Sequence, residues 1–212
     1  PGISWAPESD KIVIAAKAGA SDALYLIDVN SDKQEKIAFD LDGVFTASWS
    51  PNGEKLAFVG NEGGASDIYT YEISSKKTTN LTNDVFSDTE PSWSPDGEKI
   101  IFVSDRGVMS NGIKTTAKDM IDHNYEQSDI FIFDLNSKNI NQITNTGYNE
   151  NYPIFSNTEN KLFYTGDYQG TWNLFRYDLD SGKSEPITNL LTGLFQLSLT
   201  KDDGSLVFSG YS

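Results

Sequence analysis

Trp5, Trp49 and Trp93 are each 44 residues apart. A chain that returns to the same residue type at such a spacing builds one structural unit several times, so the unit must be read before any site. The beat continues without tryptophan: Phe155 in "YPIFSNTENKLFYTG" and Leu199 in "LSLTKDDGSLVFSG" fill the same column and are again 44 apart. Only the step from Trp93 to Phe155 is longer, at 62. A second column holds "ALYLIDV" (23–29), "DIYTYEI" (67–73), "DIFIFDL" (129–135) and "NLFRYDL" (173–179). A third holds "NLTND" (80–84), "QITNT" (142–146) and "PITNL" (186–190), with "KIAFD" (36–40) as its first copy.

Each unit reads as four short strands. An aromatic strand such as "PSWS" leads into a turn, then an apolar run such as "KIIFV" that is buried on both faces, then the "DIFIFDL" and "INQIT" segments. In "SPDG" (94–97), Pro95 presets φ at the second position of a type I turn, Ser94 suits the first, and Gly97 supplies a positive φ at the last. Four strands in about 44 residues is the size of a β-propeller blade. The expected fold is therefore an all-β propeller of four-stranded antiparallel blades. The blades fall at about 1–44, 45–88, 89–150 and 151–194, with a partial fifth at 195–212. The tryptophans are expected to pack between neighbouring blades.

The run "PSWSPDGEKIIFVSDRG", followed by "DIFIFDL" and "QITN", resembles the PD40 or TolB-type propeller repeat. That resemblance implies an extracytoplasmic protein, periplasmic or secreted, acting as a protein-binding platform. It equally describes the propellers of prolyl-oligopeptidase-type and tricorn-like secreted peptidases, where the ring gates or orients substrate. TolB-type rings are expected to hold six or more blades, so four and a part imply an arc of a larger propeller. An arc leaves open blade edges through which self-association is expected.

Charge and composition narrow the function. A net charge of -15, from 16 basic and 31 acidic residues, argues against nucleic acid as a partner. The apolar runs are strand-length, too short for a membrane span. There is no cysteine, one histidine and no Gly-x-Ser-x-Gly elbow, so no catalytic constellation is expected within these residues. No cofactor is expected. "DLDG" (40–43) and "DLDSG" (178–182) resemble pieces of calcium loops that could hold a structural ion, but both lack the full ligand series.

The departure from the repeat is the insertion 106–127, 18 residues longer than its counterparts. It joins the second and third strands of blade three, on the face shared with the inter-blade connections, where repeat proteins gather binding residues. It carries Met109, Asp119, Asp122, the single His123, and Tyr125, and "TTAKDMIDHNYE" reads as a short helix. The connections add Phe45, Phe86, Tyr148 and Phe195 as corresponding aromatics, with Asp88, Glu90 and Glu150 as acids. Together these residues are the candidate partner-binding rim, suited to a basic or amphipathic peptide. Their bland alternative is a seal between blades. Carbohydrate binding on the aromatic rim is a third reading.

Overall fold

The computed structural model describes residues 2–19, 21–107 and 123–210. Alternation of apolar and polar positions, interrupted every few residues by turn chemistry, produces strands throughout. The first sheet is β1 (Ile3–Trp5), β2 (Lys11–Ala18), β3 (Ser21–Asp28) and β4 (Gln34–Ala38). The second is β5 (Gly43–Trp49), β6 (Lys55–Glu62), β7 (Ala65–Glu72) and β8 (Thr78–Asn80). The third is β9 (Asp88–Trp93), β10 (Lys99–Ser104), β11 (Asp129–Asp134) and β12 (Ile140–Gln142). The fourth is β13 (Glu150–Phe155), β14 (Lys161–Gly166), β15 (Asn173–Asp178) and β16 (Lys183–Pro186), and the fifth pairs β17 (Leu194–Leu199) with β18 (Leu206–Gly210). Every sheet is an antiparallel meander in sequence order. The first strands of successive sheets lie side by side, so they form the hub. This is the arrangement of propeller blades, four of them complete and the fifth two-stranded.

The second and third strands of each complete blade fill the space between sheets. Leu56, Phe58 and Tyr69 pack with Val13 and Leu24 in one layer, and Ile100, Phe102 and Phe131 with Ala57 and Ile68 in the next. Ile101 and Ile130, on the opposite face of the third sheet, meet Leu162 and Tyr164 of the fourth. Burial on both faces is why "KIIFV" has no polar alternation. Trp93 is 9% exposed and its indole Nε1 donates to Ser48 O of the preceding blade at 3.2 Å. Trp49 packs against the first layer, whereas Trp5 remains 56% exposed on the uncovered side of the first sheet. Val207 and Phe208 are exposed on the fifth sheet. The first and fifth blades touch at their strand-one-to-strand-two turns, where Lys201 Nζ donates to Pro7 O at 2.8 Å.

The turn between the first two strands behaves as its residues dictate. Gly97 N donates to Ser94 O at 2.9 Å, and Gly97 holds φ 73°, a left-handed conformation that a side chain strains. Pro51 of the preceding blade packs against this turn, leaving only 3.4 Å between its Cγ and a Cβ at Gly97. Gly97→Ala is therefore expected to cost about 1 kcal/mol, read as a shift in the urea midpoint without a change in slope. An unchanged midpoint would contradict the assignment of strain to this position.

Each inner strand from β5 onward also carries a bulge at one column, where Thr46, Glu90, Tyr152 and Gln196 all have positive φ. A bulge twists its strand sharply. Repeated at one height, it keeps four inner strands in a common curve around the hub.

Candidate functional site

In every complete blade the turns between strands one and two, and between three and four, lie at one end. The hairpin between strands two and three and the connection to the next blade lie at the other. The second end, the loop face, receives the chain on both sides of the 106–127 segment.

A recurring staple holds that face together. The Thr of each "Thr-Asn" column accepts from the backbone N–H of the third strand: Thr82 from Ile68 at 3.1 Å, Thr144 from Ile130 at 2.8 Å and Thr188 from Leu174 at 2.9 Å. A residue near the start of the third strand, Asp67, Asp129 or Asn173, then accepts from the backbone N–H of residue 84, 146 or 190. The columns that define the repeat in the sequence thus tie each inter-blade connection to its blade. Side-chain acceptors are required because the connections leave the ladder while still buried.

At the junction of the second and third blades this staple meets Arg106, which is buried. Its guanidinium donates to Asp84 through one nitrogen and to Asp88 through the other. It also lies 5.4 Å from the ring centroids of Phe86 and Phe102 and 5.7 Å from that of Phe131. Burial pushes the Asp88 carboxyl up to about 6 although Arg106 pulls it down. Burial opposes the charge on Arg106 too, but Asp88 and Asp84 outweigh it and hold the guanidinium protonated. The pair is ionised at neutral pH. Asp67, Asp84 and Asp88 bring carboxylate oxygens within 4.8 Å of one another, a set that could hold a cation, and the guanidinium of Arg106 is the cation against it.

The next junction repeats the geometry without an arginine. Glu150 stands where Asp88 stands, Asp129 where Asp67 stands, and Tyr168 where Arg106 stands. Glu150 accepts from Thr144 Oγ1 at 3.1 Å and from Thr146 Oγ1, and it is hydrogen-bonded to Asp129. Burial, with the Asp129 charge beside it, raises the Glu150 carboxyl to about 8, and burial raises Asp129 as well. A carboxyl raised this far is protonated at neutral pH, so this junction carries less charge to balance than the one before it.

His123 lies over this face. Its Nε2 is 3.5 Å from Asp105 Oδ2, and its ring meets Phe86 at 5.4 Å and Tyr125 edge-on at 4.8 Å. Asp105 Oδ1 accepts from Ser87 N at 2.8 Å, so the same carboxylate holds the inter-blade connection. In the fourth blade Asp167 accepts from Asn149 N in the equivalent way, and Tyr148 meets Tyr168 at 5.0 Å.

The sequence-predicted rim therefore divides. Met109, Asp119 and Asp122, together with the expected helix, lie outside the described residues. His123, Tyr125, Phe86 and Tyr148 are brought together with neighbouring aromatics on the loop face. Phe45 and Phe195 are not their counterparts: they sit inside β5 and β17, four residues before Trp49 and Leu199, whereas Phe86 and Tyr148 precede Trp93 and Phe155 by seven. Asp88 and Glu150 are buried against structural partners rather than exposed on a rim. Glu90 is partly buried and accepts from Tyr152 N of the next blade at 2.6 Å, and burial raises it to about 7. Asp42 and Asp178, from the calcium-like fragments, accept turn N–H groups of Gly63 and Ser181. Sequence reasoning missed Arg106, Asp105 and the Asp67–Thr82 staple. The signal was in the repeated "SD" and "TN" letters and in the single "SDRG", which mark the repeat as readily as they mark its bonds.

The sequence pattern of the TolB beta propeller domain, PD40, matches residues 2–119. The chain belongs to this TolB propeller family. Among solved structures, it resembles a TolB-type protein of Agrobacterium tumefaciens at 19% identity and TM-score 0.79, covering 99% of this chain and 69% of that one. TolB from Acinetobacter baumannii follows at 18% identity and TM-score 0.70, with coverage of 100% and 54%. The tricorn protease resembles it at 16% identity and TM-score 0.70, covering 99% of this chain and 25% of the protease. At these identities the TolB propeller fold is what is shared. No curated protein matches the sequence.

Proposed function

We propose that this TolB-type propeller is a non-catalytic, extracytoplasmic scaffold that binds a protein or peptide on its loop face. The observation that carries this reading is where exposed apolar side chains gather. Tyr125, Tyr168 and Leu191 are all on the loop face, at 61%, 47% and 94% exposure. Apart from Ile3, Trp5, Val207 and Phe208 on the uncovered first and fifth sheets, Val29 is the large exposed hydrophobic at the turn end among the described residues. Apolar exposure collected on one face marks interaction surfaces. The lone histidine, with no cysteine and no nucleophile elbow in the sequence, supports a binding role over a catalytic one.

A photo-crosslinking residue placed at Tyr125 or Tyr168, with Val29 as the control on the turn end, tests the proposal in cell-envelope extract of the source organism. Discrete cross-linked species are expected from the loop-face positions alone. Equal labelling from Val29, or none from either loop position, would remove the loop face from the account. The likeness to the tricorn protease favours a second reading, a propeller that orients substrate for a peptidase domain. A discrete peptidase recovered in the cross-link would select it.

A further inference from the structure

Charge is distributed across the molecule as unevenly as apolar exposure. Every described lysine except Lys17 and Lys36 lies at or beside the turn end. On the loop face the described bases are Lys17, His123 beside Asp105, and Arg106, which is buried and paired. Carboxylates that reach solvent there come from four successive sheets and their connections: Asp22, Asp40, Asp42, Glu62, Glu126 and Asp167. The sequence 108–122 contains two lysines and two aspartates, so it leaves this balance unchanged.

Two independent asymmetries therefore coincide on one face. Acids without compensating bases create a negative potential. Among them stand exposed aromatic rings held by neighbours, Tyr168 against Tyr148 at 5.0 Å and Tyr125 against His123 at 4.8 Å. Rings fixed before binding offer contact area at little entropic cost, and their faces attract ammonium and guanidinium groups.

We propose that the loop face recognises a cationic polypeptide segment, with lysine or arginine interspersed among apolar side chains, and that Tyr125 and Tyr168 are its anchors. This rests on the scaffold reading above and adds the chemistry of the partner. The carboxylates steer the segment and set its orientation, while the rings supply most of the contact energy. A polyanion is repelled from this face, and a second copy docked loop face to loop face sets like charges against each other.

The test is selection of displayed random 12-residue peptides on the immobilised protein, followed by affinity measurement on the winners. Enrichment of lysine and arginine together with leucine or aromatic residues is expected. Combined Tyr125→Ala and Tyr168→Ala is expected to weaken the winners by more than tenfold, and Glu62→Gln with Glu126→Gln by about threefold at low salt, mainly in association rate. Thermal melts of both variants should match the parent, since all four side chains are exposed. Neutral or acidic winners that are still lost in the tyrosine variant would overturn the cationic partner and leave the scaffold standing. Winners indifferent to the tyrosine variant, or no winners at all, would overturn both.

Discussion

Arg106→Ala is expected to cost about 3–5 kcal/mol of folding stability, the loss seen when one partner of a buried ion pair is removed. In a domain of this length that corresponds to a fall in Tm of roughly 6–20 °C. The reason is specific to the junction of the second and third blades. Asp88 is fully buried and Asp84 is partly so, and both depend on one guanidinium that also fills the space between Phe86, Phe102 and Phe131. Truncation leaves two carboxylates facing each other with no cation and opens a cavity among three rings. Arg106→Lys should recover only part of the loss, because an ammonium cannot span two carboxylates as a planar fork does. Lowering the pH to 5 should narrow the gap between Arg106→Ala and the parent, since the stranded Asp88 can then take a proton. Equal melting of parent and Arg106→Ala at neutral pH would show that the pair contributes nothing.

The second large effect belongs to Glu150. An unfolded glutamate titrates near 4.5, and burial raises this one to about 8. Between those values the folded chain holds a proton that the unfolded chain has released, so stability falls as pH rises through the window. The loss is complete once the pH passes the folded value. Its full size is on the order of 3–5 kcal/mol, taking 1.36 kcal/mol for each unit. Glu150→Gln keeps the shape, preserves a donor toward Asp129 and removes the titration. The variant should therefore come closest to the parent below about pH 4.5 and exceed it by a margin that grows up to about pH 8, in urea unfolding series at fixed ionic strength. Parallel pH profiles for the two proteins would show that no proton is held at this seam. Asp88 and Glu90 are raised to about 6 and about 7 and slope the same way at lower pH, so the interval in which Glu150 alone still slopes is pH 7–8.

These two residues also show how much of the site the sequence could reveal. Glu150 was legible as an acid in an inter-blade connection, and its loop was placed on the correct face. Its role was not, because whether a carboxylate at that column faces solvent or a buried aspartate depends on how two blades meet. Arg106 stood inside the quoted "SDRG" and could be read as family signature alone. Its partners Asp84 and Asp88 lie 22 and 18 residues earlier, across a blade junction that no local pattern reports. Tyr148 and Phe86 shared a column, while Phe45 and Phe195 only shared a chemistry. A one-dimensional alignment of loops cannot separate a residue in a connection from one already inside the next strand.

What the sequence by itself determined is the architecture. A 44-residue beat, runs apolar on both faces and turns such as "SPDG" fix blade size, strand order and family, because periodic burial and turn stereochemistry are local in the chain. The tertiary structure alone decided which acids are structural and which face solvent. That distinction arises where separate blades meet: a guanidinium neutralises one junction, a proton the next, and other carboxylates of the loop face are left in solvent. Burial, and with it charge state, is a property of surfaces brought together by folding.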